Sequence, residues 1–109
     1  MKRAEVWWAE LPPPVKSRPV VILTRNAVVD SIESLVVGLV TRTIRGLNTE
    51  VSLGRREGLP CPCVANLDNI LTIPRGRLKR QMGALSQEKT KELDRAIMRA
   101  LGVSDWSAA

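Results

Sequence analysis

Three stretches of this chain carry residue types that can act on a charged substrate. In Lys16-Ser17-Arg18-Pro19 the proline ring disfavours helical angles at the residue before it, so Arg18 is expected in extended backbone at a strand entrance. A guanidinium on so stiff a backbone can present two parallel donors to a phosphate. In Val40-Thr41-Arg42-Thr43-Ile44-Arg45-Gly46 an apolar run ends in two hydroxyls and two arginines, a combination suited to an anion. It equally suits a plain strand end, because threonine favours strands. In Asn66-Leu67-Asp68-Asn69 three hydrogen-bonding side chains sit in an apolar context, where they can read base edges or simply build a turn. The basic run Arg75–Arg80, RGRLKR, reads as a solvated face or as a patch that follows phosphates.

What is missing narrows the chemistry further. The chain has no histidine, which removes the commonest general base, Ser-His-Asp and Cys-His nucleophile systems, and a two-histidine ribonuclease mechanism. Cys61 and Cys63 are the only cysteines. A bridge between positions two apart is strained, and two thiols without histidine cannot complete a structural zinc site. They are read as reduced thiols, and neither a metal nor a cofactor is expected. Trp7, Trp8 and Trp106 are the only aromatic residues, a thin supply for base stacking.

The elements that must position these residues are those of a single small domain. At 109 residues, 44% hydrophobic and 26% charged, the chain suits one core. Its net charge of +6 falls entirely within residues 1–80, which hold 13 basic and 7 acidic side chains. Such a field attracts phosphates. No apolar run reaches the roughly 18 residues of a membrane helix, and the N-terminus lacks a signal-peptide core, so a cytoplasmic location without membrane contact is expected. The prolines all precede residue 75, and the long helical pattern follows residue 85. Strands are predicted at Glu5–Leu11, Pro19–Thr24, Leu35–Val40, Thr49–Leu53, Cys63–Leu67 and Leu71–Ile73, with Gly38 marking a bulge or close packing. Ser86 is the expected N-cap of a helix whose stripe is Leu93, Ile97, Ala100 and Leu101, closed by Gly102. The prediction is a mainly β (α+β) fold, a small barrel over about residues 4–80 with a C-terminal α-helix over about 86–101.

Taken in order, Glu5-Val6-Trp7-Trp8, Arg18–Leu23, Val40–Gly46, Asn66–Ile70 with Thr72-Ile73-Pro74, and the terminal helix resemble the MazF/PemK family of type II toxin–antitoxin toxins. The likeness covers about residues 4–102. It implies an SH3-like β-barrel of the CcdB/MazF plasmid-maintenance-toxin type. It implies a homodimer whose groove binds single-stranded RNA (mRNA, with rRNA or tRNA as further candidates). The implied activity is a metal-independent, ribosome-independent endoribonuclease, an mRNA interferase. It leaves 2′,3′-cyclic phosphate and 5′-hydroxyl ends and is neutralised by a MazE-like antitoxin. Carried over residue by residue, Arg18 and Thr41 match the catalytic pair. Asp68 and Asn69 match a base-contacting pair, and Lys16 and Ser17 fall in the loop over the active site. Arg42, Thr43 and Arg45 join the expected RNA contacts. The proline-rich loop before Arg18 departs from the family's Gly-Ser-Glu-Gln stretch, and Arg42 stands where a small polar residue is common. Two alternatives keep the basic charge but not the chemistry: a CcdB-like inhibitor of DNA gyrase, for which Trp106 is the one opening, and a non-catalytic nucleic-acid-binding module.

Overall fold

Apolar and β-branched runs, each cut by a proline, a glycine or a turn, become the strands. In the computed structural model, which describes residues 1–103, they are β1 (Glu5–Ala9), β2 (Arg18–Ile22), β3 (Ser34–Thr41), β4 (Glu50–Leu53), β5 (Cys63–Pro74) and β6 (Leu78–Ala84). A helix, α1, follows at Gln87–Leu101, and single 3-10 turns occupy Arg55–Glu57 and Arg75–Arg77. Trp106 lies outside the described residues. The strands form one antiparallel sheet in the order β4-β5-β3-β2-β1-β6.

The sheet curls until the segment after β4 meets β6. A Cβ on Gly58, whose φ is +89°, would stand 2.0 Å from the Met82 carbonyl oxygen, and one on Gly83 would stand 2.2 Å from that of Glu57. Only glycine permits backbones to approach so closely. Both faces of the sheet are covered, which explains why Val20-Val21-Ile22 is continuously apolar. Val21 packs with Val6, Val51, Leu67, Leu93 and Ala96, whereas Val20 and Ile22 pack on the other side with Leu35, Val37 and Ile73.

Two expectations about the strands are corrected. The segments predicted at Cys63–Leu67 and Leu71–Ile73 are one strand, β5, running past Asp68-Asn69 without a turn. Its break is a bulge: Leu39 pairs with Asn66 but Gly38 pairs with Ile70, leaving Leu67, Asp68 and Asn69 without partners on β3. Gly38 makes room for this, since a Cβ there would lie 3.1 Å from Leu67 Cδ1. The sixth strand, β6, falls where no strand was predicted. Only Leu78 of its seven residues is buried, because an edge strand needs few apolar side chains and tolerates lysine and arginine.

The helix starts and stops where expected. Ser86 Oγ accepts from the Lys89 backbone N–H at 3.1 Å, and Gly102 closes the helix in the left-handed conformation at φ 71°. Leu93 and Ala96 are buried and Ile97 and Ala100 pack partly against the same core. Leu101 is 63% exposed, contrary to the predicted stripe. It lies about 80° round the helix from Leu93, on the side away from Ala96.

Candidate active site

The antiparallel pairing of β2 with β3 places the start of one strand beside the end of the other. Val20 pairs with Leu39, and extending that register by two residues sets Arg18 across from Thr41. Two concavities open around this pair. One, of about 120 Å³, is lined by Arg18, Thr41, Thr43, Arg45, Asn66 and Asn69, with Leu39 at its floor. The other, of about 330 Å³, is lined by Lys16, Ser17, Arg18, Thr41 and Arg42, with Trp8, Pro19 and Val40 behind them. They share Arg18 and Thr41. Four cations and no carboxylate line them, so the combined cleft is built for an anion.

The local hydrogen bonds show what each side chain has left to offer. Arg18 is half-buried, and its guanidinium donates to the Val15 carbonyl and, at 3.4 Å, to the Lys16 carbonyl. The loop reaches it because Lys16 adopts a positive φ of 67° and because Ser17 Oγ accepts from the Leu11 N–H at 3.2 Å. Thr41 Oγ1 accepts from the Thr43 N–H at 3.1 Å, which leaves the hydroxyl proton to donate outward. The Glu50 carboxylate is committed to the turn after β3. Its Oε1 accepts from the N–H groups of Arg45, Gly46 and Leu47 at 3.1, 2.9 and 3.2 Å.

Of the residues singled out from sequence, Lys16, Ser17, Arg18, Thr41, Arg42, Thr43, Arg45 and Asn69 all line one or both concavities. Asp68 lines neither. Its carboxylate accepts from Thr49 Oγ1 at 2.6 Å, which turns it toward the start of β4. Asn66 lines the smaller concavity instead. It is 6% exposed, and its Oδ1 accepts from the Asp68 N–H at 3.0 Å, so the amide N–H groups remain as donors. Its polar type inside an apolar run was the available signal. Arg75 in the basic run is structural: its guanidinium donates to the carbonyls of Val29 and Ile32.

A third cavity, of about 200 Å³, adjoins the cleft. Sequence reasoning missed it, because its walls come from β1, β2, β3, β5, β6 and the segment after β4, which are scattered along the chain. Both cysteines line it as free thiols. Burial pushes the Cys63 thiol above its ordinary pKa, with Cys61 and Glu57 adding to the effect and Arg42 opposing it. No group of three or more His, Cys, Asp or Glu side chains that could hold a metal occurs among the described residues.

A small curled β-sheet with a cationic cleft at two adjacent strand ends defines a class of small anion-binding β-barrel protein. The comparisons make the class specific. A family model described as "PemK-like, MazF-like toxin of type II toxin-antitoxin system" matches residues 2–101. "Endoribonuclease MazF3" of Mycobacterium tuberculosis is 42% identical over 94 residues, covering 86% of this chain and 90% of that protein. The solved "Mycobacterium tuberculosis toxin MazF-mt6" superposes with a TM-score of 0.86 at 39% identity, over 94% of this chain and 99% of that one. An "Endoribonuclease in complex with its cognate antitoxin from Mycobacterial species" superposes with a TM-score of 0.86 at 26% identity, over 96% and 98%. The chain belongs to the PemK/MazF family of type II toxin–antitoxin toxins.

Proposed function

We propose that this toxin is a sequence-specific, ribosome-independent endoribonuclease that cuts single-stranded RNA with Arg18 and Thr41 at the scissile phosphate. The observation that carries the assignment is their position as the common wall of two concavities lined by cations and free of carboxylates. In the reaction the 2′-oxygen attacks phosphorus and loses its proton. The bond from phosphorus to the 5′-oxygen breaks, and that oxygen takes up a proton. The products are a 2′,3′-cyclic phosphate and a 5′-hydroxyl. Charge builds on the non-bridging oxygens between these events. Arg18 stabilises it with a permanent charge and forked donors, and the Thr41 hydroxyl donates a hydrogen bond to it. With neither histidine nor carboxylate in the cleft, the side chains act through charge and hydrogen bonding, and protons exchange with water. The need for a 2′-hydroxyl selects RNA over DNA.

Asn66, Asn69 and Thr43 offer donors and acceptors for base edges beside the phosphate. The same cations suit an extended acidic segment of a MazE-like antitoxin, which would exclude RNA by occupying the cleft. We assign the active form as a homodimer on the family likeness.

The test is incubation of the antitoxin-free protein with a long RNA of defined sequence in EDTA, beside Arg18→Ala, with the cut ends mapped. Discrete cuts with cyclic-phosphate ends, absent from a folded Arg18→Ala, are expected. Absence of cuts across varied RNAs overturns the activity, and full activity in Arg18→Ala overturns the role of Arg18.

A further inference from the structure

We propose that the 200 Å³ cavity beside Thr41 is a nucleobase subsite, taking by stacking the base of a nucleotide that flanks the cut. The inference rests on the RNA-cutting assignment above and adds a second, chemically different recognition element to it.

The cavity is walled by Trp8, Pro19, Leu59, Pro60, Cys61 and Met82, a mainly apolar set. It exists because β1 and β6 pair. Trp8 lies opposite Arg80 in that ladder, and the Arg80 guanidinium carbon sits 5.5 Å from the centroid of the indole ring. A cation held over an aromatic face is electrostatically favourable, so the side chains at this mouth are pre-positioned. Planar π surfaces bounded by apolar walls and guanidinium groups accept bases of any identity, since every base has a face to stack.

Its position names the occupant. Trp8, Pro19, Val40, Thr41 and Arg42 line both this cavity and the larger basic concavity, so the two are continuous. A phosphodiester held by Arg18 and Thr41 therefore has a polar concavity with Asn66 and Asn69 on one side and an apolar one on the other. One flanking base would be read by its edge and the other gripped by its face. A fixed requirement at one position and tolerance at the other should follow in the cut sequence.

The experiment uses the RNA cut by the full chain, with an abasic residue introduced in turn at each flank of the cut. Stacking predicts that one abasic substrate loses about 10- to 100-fold in kcat/KM. Trp8→Ala should lose a similar factor on intact RNA and almost nothing more on that abasic RNA, while Trp8→Phe retains most activity. Equal losses by Trp8→Ala on intact and abasic RNA at both flanks would overturn the subsite.

A second readout needs no cutting. Cys61 is half-buried in the same cavity, and its alkylation by iodoacetamide is followed by mass spectrometry. RNA made uncleavable by 2′-O-methylation should protect Cys61, and the same RNA carrying the abasic residue should not. Protection by the 2′-O-methylated RNA with no cutting of the same RNA unmodified would sink the catalytic assignment alone. Bound RNA that leaves Cys61 fully reactive would sink the subsite alone. An acidic peptide that protects Cys61 where RNA does not would reassign the cavity to the antitoxin and overturn the proposal.

Discussion

Arg18 meets its substrate partly engaged: the carbonyls of Val15 and Lys16 take two of its five N–H donors and hold the guanidinium, and the others are left for a phosphate. Thr41 is different, since its oxygen is fixed by the Thr43 N–H while its hydroxyl proton is donated to no group among the described residues. Removing that proton should cost transition-state stabilisation and little else. Thr41→Ala is expected to slow cutting by about 10²–10³-fold with the thermal midpoint nearly unchanged, measured by single-turnover cleavage beside calorimetry. Cys63 supplies a pH prediction. Its thiol is pushed up in the folded state, so the folded protein keeps that proton where the unfolded chain has lost it. Stability should be full below the ordinary thiol range and fall as pH rises through and above it. Urea titrations at rising pH should show that decline, and it should shrink in Cys63→Ala. At this scale the sequence was informative about type more than direction. Arg18 and Thr41 were legible because proline stiffens one backbone and a strand end carries the other. Asp68 was singled out beside Asn69, yet Asn66 enters the cleft, because Thr49 draws the Asp68 carboxylate away and nothing local in the sequence encodes that partner.

The bulge in β5 is the element that turns a strand into a recognition surface. Three residues without partners on β3 stand beside Asn66, and Gly38 is what lets Leu67 fold beneath them. Gly38→Ala would push a methyl to 3.1 Å from Leu67 Cδ1 and should destabilise the barrel by about 1–3 kcal/mol. Its urea midpoint should fall, and its preferred cut sequence should loosen, because Asn66 adjoins the displaced leucine and Asn69 lies in the same bulge. Gly83→Ala should cost more, since its new Cβ meets the Glu57 carbonyl at 2.2 Å and backbone cannot turn aside as a side chain can. The strands with two covered faces were visible as unbroken apolar runs. Strand β6 was not, because its pairing rests on backbone hydrogen bonds to β1 while Leu78 alone of its side chains is buried. For the same reason the Trp8–Arg80 stack, which joins residues far apart in the chain, could not be read from composition.

Taken as a whole, the molecule is a basic body, and its charge should govern association more than its shape does. Binding of uncleavable single-stranded RNA should weaken linearly in log–log terms with added salt, with a slope near −0.7 for each phosphate neutralised. Arg45→Ala should reduce the magnitude of that slope by about 0.7, measured by fluorescence anisotropy over a salt series; an unchanged slope would remove Arg45 from the RNA path. The ladder between β1 and β6 has a further consequence, one of timing. It joins the first strand to the last, so Trp8 cannot meet Arg80, nor Gly58 meet Gly83, until residue 84 has been synthesised. Chains grow at about 5–20 residues per second, and sheets built on such distant pairings fold slowly. A nascent chain that stops short of β6 therefore has Arg18 and Thr41 but no closed barrel to hold them. The hazard of making a nuclease beside RNA is postponed until β6 has been made.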